Sequence, residues 1–234
     1  MALTKTTLGR ATVWYDADYP ARPYWMVGPD ANILIEEFVN FPMLAAGTPA
    51  AYTTTLVNAS TVALVGGNLG GAAVFTTAGA ENDGVQIQAL GEGYLPNSQN
   101  QIYFGIKLQI SDATQSDFLV GLCITDTTAI AGLTDGIYFR KIDETTTCNF
   151  VVETGSTETA TEALTVVAAT DYILEFWWNG TALNFYVDGV LTGTPAVTYI
   201  PTTEYLTPTI ALLTGAGAVK TMTVSWMRVG QVIV

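Results

Sequence analysis

The chain has 234 residues, 49% of them hydrophobic and only 12% charged, with 21 acidic residues against 8 basic ones and a formal net charge of −13. That balance excludes nucleic acid as a partner, because tracking phosphates needs clustered Lys and Arg, and here Lys107, Arg140, Lys141, Lys220 and Arg228 are scattered along the sequence. There is no histidine, which excludes Ser-His-Asp and Cys-His catalysis, histidine metal sites and histidine pH switching.

In chain order, residues 1–45 come first and read differently from the rest. They hold Pro20, Pro23, Pro29 and Pro42 and the aromatic run VWYDADYPARPYW (13–25). Proline blocks ladder pairing, so the expectation is an extended N-terminal arm and not a central strand. ANILIEEFVNF (31–41) fits either a short amphipathic turn of helix or an edge strand. The N-terminus lacks the apolar stretch of a signal peptide, and no run approaches the ~20 apolar residues of a membrane span. Synthesis in a cytoplasm, with no membrane partner, is expected.

From residue 46 to 234 the pattern is one of short period-two runs rich in Val, Ile, Thr, Tyr and Phe, separated by Gly, Asn, Asp and Pro. The expected strands are 55–65, 72–77, 85–90, 101–111, 117–125 and 136–142, then 148–154, 163–167, 171–178, 183–187, 206–214 and 220–229. Strands at this spacing predict an all-β domain, two packed antiparallel sheets in a jelly-roll sandwich. Cys123 and Cys148 fall on strands with one strand between them, which predicts buried free thiols. Asn58-Ala59-Ser60 and Asn179-Gly180-Thr181 read as turns rather than glycan sites.

The stretch ILEFWWNGTALNFYVDGVL (173–191) sets the pattern of the last third. Asn179-Gly180 and Asp188-Gly189 supply residues that tolerate positive φ, which tight hairpins require. Alternation puts Leu174, Phe176 and Trp178 on the apolar face and Ile173, Glu175 and Trp177 on the other. Tyr186 shares the outward face of the next strand with Asn184. Trp177 and Tyr186 are therefore candidates for a glycan platform or a subunit contact.

DYILEFWWNGTALNFYVDGVLTGT (171–194) and TPTIALLTGAGAVKTMTVSWMRVGQ (207–231) together resemble the C-terminal half of concanavalin A-like, or laminin G-like, jelly rolls. TTAGAENDGVQIQALGE (76–92), SQNQIYFGIKLQISDATQSDFLVGLCITDTTAI (98–130) and DGIYFRKIDETTTCNFVVETG (135–155) resemble structural proteins of tailed-bacteriophage virions that carry this jelly roll. The resemblance implies a head decoration, or cement, protein on the outside of the capsid. It also implies the major capsid protein as partner and a homotrimer as the form. Such a protein adds buried area to the assembled shell only, which shifts the shell against opening.

Three function classes follow. A jelly-roll glycosidase needs two carboxylates about 5–9 Å apart, and acids two positions apart occur only as Asp16/Asp18 and Glu81/Asp83, outside the expected core strands. Glu175 stands alone in its strand, so no catalytic residue, and no enzyme, is expected. A lectin, or the receptor-binding module of a fibre or tail, is the alternative. It would use Trp177 and Tyr186, but no Asp-x-Asp-x-Asn-Gly loop offers a calcium site, and no metal or cofactor is expected. An assembly protein fits the low charge. For that role Trp14, Tyr15, Tyr19, Arg22, Tyr24 and Trp25 are the expected partner-binding residues, unless the arm straps the chain's own sandwich and covers a sheet edge.

Overall fold

The computed structural model describes residues 3–8, 11–16, 23–27, 30–39, 49–66 and 70–233. The N-terminal strands are β1 (Leu3–Leu8), β2 (Ala11–Asp16), β3 (Pro23–Val27) and β4 (Ala31–Glu36). Then come β5 (Tyr52–Val57), β6 (Thr61–Val65), β7 (Ala72–Thr76), β8 (Gly84–Ala89), β9 (Asn100–Ile110) and β10 (Ser116–Cys123). After a single helical turn, α1 (Ala129–Gly132), follow β11 (Gly136–Lys141), β12 (Thr147–Thr154), β13 (Thr157–Thr165) and β14 (Tyr172–Trp178). The chain closes with β15 (Leu183–Val187), β16 (Val190–Gly193), β17 (Thr207–Thr214) and β18 (Thr221–Ile233).

These strands make two antiparallel sheets packed face to face. The front sheet runs β13-β12-β11-β10-β17-β8-β5 and the back sheet β16-β15-β14-β9-β18-β7-β6. β18 is the longest strand among the described residues, and β7 pairs only with its first four residues, Thr221–Val224. The second half is taken by β4, with Met227 opposite Glu36 and Val232 opposite Ala31. Residues 31–36 are thus a strand of the sandwich, which begins before residue 46. The expected single strand over 55–65 is instead two strands in different sheets, broken at Asn58 (φ 56°).

The N-terminal segment does not run as an extended arm. β1, β2 and β3 form an antiparallel three-stranded sheet of their own. The argument from proline overreached because Pro23 is the first residue of β3, where a missing N–H does not interrupt the ladder. Pro20, Pro29 and Pro42 lie outside the described residues.

Alternation builds the core between the two main sheets. Phe104 and Phe176 of the back sheet stack at 5.2 Å, and Phe150 of the front sheet stacks on Phe185 at 4.7 Å. Phe139 closes on Phe150 at 4.9 Å. Trp178 lies in this core, as alternation required, and its indole N–H donates to the Asn97 carbonyl at 2.8 Å. Asp188 (φ 50°) and Gly189 (φ 79°) form the tight turn between β15 and β16. Cys123 and Cys148 are buried free thiols on opposite faces of the front sheet.

Candidate functional site

The outer face of the back sheet is covered by the chain itself around Trp177 and Tyr186. Val13 of β2 is fully buried in a cluster with Trp177, Tyr186 and Val232, flanked by Ala31, Ile33 and Tyr103. Trp177 is 3% exposed and Tyr186 2% exposed, so neither presents a ring to solvent. The same face holds Glu175, 1% exposed, whose Oε1 accepts from the Tyr103 hydroxyl at 2.6 Å. Trp177 and Tyr186 were expected to meet a glycan or a second subunit; the N-terminal sheet occupies that position. Alternation gave their direction, but nothing local in the sequence says that a valine far upstream covers them.

The N-terminal candidates divide. Trp14 and Tyr15 lie in β2 and Tyr24 and Trp25 in β3, where Trp14 is the register partner of Trp25, and Tyr15 that of Pro23. Tyr19 and Arg22 lie outside the described residues.

The outer face of the front sheet is covered over its centre, where Gln88, Leu119, Cys123, Tyr138, Val151 and Ala211 are buried, and exposed residues lie on its outermost strands β5 and β13. Across its centre runs the segment 124–135, which includes α1. Leu133 and Ile130 of this segment pack on Leu119, Cys123, Tyr138, Val151 and Ala211. Two glutamines of β8 pin it. Gln88 Nε2 donates to the Ile124 carbonyl at 3.0 Å, Gln88 Oε1 accepts from Asp126 N at 2.9 Å, and Gln86 donates to the Asp126 carbonyl. On the β5 side of the segment lies a cleft of about 220 Å³. Val57, Ile130 and Leu213 supply apolar walls, and Thr55, Thr128 and Gln86 contribute polar groups; no charged residue lines it.

On the other side, four polar side chains converge. The Tyr138 hydroxyl donates to Glu153 Oε2 at 2.6 Å. Arg140 is salt-bridged to Glu158 at 2.8 Å, and its guanidinium lies 5.7 Å from the Tyr138 ring centre. Glu153 and Glu158 are direct cross-strand partners on β12 and β13. Burial pushes the Glu153 carboxyl above its ordinary value, the Tyr138 hydrogen bond opposes the shift, and the charge of Glu158 adds to it. A carboxyl held toward its neutral form beside a salt-bridged carboxylate is an arrangement that acid–base chemistry uses. A scan for acids two apart on one strand misses it, because a hairpin brings together residues five apart.

A second ionic group sits where β10, β11 and β17 meet their loops. Lys141 is fully buried, and its Nζ donates to the carbonyls of Thr114 and Ile142, both at 3.2 Å, and to that of Ser116. Asp117 is 6% exposed, and its Oδ1 has no hydrogen-bond partner among the described residues. Burial and the charge of Asp143 push its carboxyl up to about 6, against a hydrogen bond from Asp143 N–H and the attraction of Lys141. Among the described residues, no three acidic or cysteine side chains converge as a metal site would need.

No family model matches the chain, and no curated protein matches its sequence. Solved structures do. An endo-1,3-β-glucanase from Streptomyces sioyaensis aligns with a TM-score of 0.61 at 10% identity, covering 88% of this chain and 98% of that one. The fold is a concanavalin A-like jelly roll. The carbohydrate recognition domain of Emp46p in its metal-free form aligns at 0.56 and 11% identity, covering 83% and 96%. A protein of unknown function, SO2946 from Shewanella oneidensis MR-1, aligns at 0.60 and 9% identity, covering 87% of each chain.

At these identities the likeness is one of fold, and this fold is shared by lectin-type domains and glucanases. It corrects the expectation that the chain is no enzyme. That exclusion rested on acid spacing within single strands. The chain instead has the fold of a glucanase and carries a cross-strand acid pair that the spacing test did not consider.

Proposed function

We propose that the chain is a structural protein of a tailed-phage virion, made in the host cytoplasm and bound as a decoration protein to the outside of the major capsid protein shell. The observation that carries this reading is the separate N-terminal sheet. It gathers Trp14, Tyr15, Tyr24 and Trp25 into two paired strands and is fastened to the sandwich through Val13. Aromatic residues on a preformed platform lose little entropy on docking, which suits an anchor to a large partner. The small share of charged residues and the resemblance of residues 76–155 to virion proteins support the same reading.

Co-sedimentation with empty mature shells tests it. The full chain should pellet saturably, and Trp14→Ser with Trp25→Ser should lose pelleting while keeping the melting temperature of the sandwich. Absence of pelleting by the full chain would refute the proposal.

One observation favours a second reading. The uncharged cleft beside β5 on the front sheet, on a fold shared with a carbohydrate recognition domain, suits a neutral saccharide. A lectin-like module of a fibre or tail would then bind on a glycan array, and Thr128→Trp, which fills the cleft, would abolish that binding.

A further inference from the structure

The four outermost strands of the two main sheets are built differently. β13, which ends the front sheet on one side, carries Glu158 and Glu162. β16, on the same side of the back sheet, is only four residues long and starts two residues after Asp188. Charge and brevity are devices that keep an edge strand from pairing with another chain. On the opposite side the strands carry no charge and are one and two residues longer than β16. β5 and β6 pair inward with β8 and β7 only, and among the described residues nothing pairs with their outer sides. Their sequences, YTTTLV and TVALV, contain no charge and no proline. The chain carries no Asp, Glu, Lys or Arg between Glu37 and Glu81. Leu56, Val57, Leu64 and Val65 of these strands are 37–40% exposed.

We propose that this side binds a second copy of the chain, with β5 pairing antiparallel to β5 of the copy across a two-fold axis, so that the two front sheets become one. The occupant follows from charge. Each copy carries −13, so two copies repel wherever acidic surface meets acidic surface. β5 and β6 themselves carry no charge, so along their length two copies meet with less of that cost, the acids beside them being Glu36 at Tyr52 and Asp83 at Asn58. A two-fold axis pairs the open ladders of the two β5 strands in one contact that closes on itself instead of repeating head to tail. It also differs from the three-fold form that the virion resemblance implies.

The size of the contact sets its strength. Six residues of strand span about 20 Å and two stacked sheets lie ~10 Å apart. An interface of that footprint falls at the small end of specific contacts. A dimer with a dissociation constant of roughly micromolar order is expected.

The proposal extends the assembly reading above, but a separate measurement tests it. Sedimentation velocity of the full chain over a concentration series should show a monomer–dimer equilibrium. Leu56→Lys with Leu64→Lys should weaken it at least tenfold without changing the far-UV spectrum, since both side chains are exposed. Leu191→Lys on β16 should leave it unchanged. Added salt should tighten the dimer, because it screens the repulsion of the acidic surfaces and leaves the neutral contact intact. A chain that stays monomeric to about 100 μM, far above the expected dissociation constant, overturns the second-copy proposal even if it still pellets with shells. Dimerisation unaffected by the two lysines, or a trimer, overturns it as well. A dimer that does not pellet overturns the virion reading alone.

Discussion

Asp117→Asn should stabilise the protein at neutral pH and leave it nearly unchanged in acid. Asp117 is buried, its Oδ1 is without a partner among the described residues, and its carboxyl is pushed up from 3.8 to about 6. Below pH 4 the group is protonated in both folded and unfolded chains and contributes no pH dependence. Between about pH 4 and 6 the unfolded chain releases this proton while the folded chain keeps it, so stability falls as pH rises. Above 6 the folded chain carries the full cost of a buried carboxylate. The shift is about 2 pH units, and each unit corresponds to ~1.4 kcal/mol, which puts the cost at roughly 1–3 kcal/mol after local relaxation.

Asparagine keeps an acceptor for the Asp143 N–H and removes the charge. For a chain of this size 1 kcal/mol moves the melting temperature by about 2–4 °C, so the variant should melt about 2–12 °C higher at pH 7 and within about 1 °C of the native chain at pH 4. Thermal melts of both chains at half-unit intervals from pH 4 to 8 supply the comparison. Parallel pH profiles, or a variant that melts lower at pH 7, would refute the reasoning.

Val13→Asp should release the N-terminal sheet by placing a charge against Trp177 and Tyr186; a red-shifted tryptophan emission and new protease cuts before residue 31 would report it, and unchanged emission would contradict it. Phe150→Ala removes the ring that joins the stacked pairs of both sheets and should cost about 3–5 kcal/mol in urea unfolding. Asp112 is held down to about 2 by the hydrogen bond from Lys220, 2.6 Å away. Its depressed value gives stability above pH 4 that disappears as pH falls toward 2, so Asp112→Asn should cost about 1 kcal/mol at pH 7, allowing for solvent screening, and almost nothing at pH 2.

What was legible in the sequence was local. Period-two alternation found the core strands and assigned Trp178 inward and Trp177 outward, because strand geometry fixes which residues share a face. What covers an outward residue is a tertiary fact, and Val13 over Trp177 leaves no trace near either residue. Residues 31–41 could not be resolved because their pattern suits two structures; the choice is made by β18, whose second half pairs with β9 on one side and has its other side filled by β4. Proline content misdirected the reading of the N-terminus, since a proline at the first position of a strand costs the ladder nothing. Glu153 and Glu158 escaped a scan tuned to one strand because a hairpin joins positions that linear spacing keeps apart.

The central claim, that the chain decorates a capsid shell through its N-terminal sheet, is tested most directly by cryo-electron microscopy of empty mature shells saturated with the purified chain. The account requires ordered added density on the outer surface, oriented with β1–β3 against the major capsid protein and the front sheet toward solvent. Bare shells at saturating protein, or a bound sandwich whose N-terminal sheet points away from the shell, would contradict it.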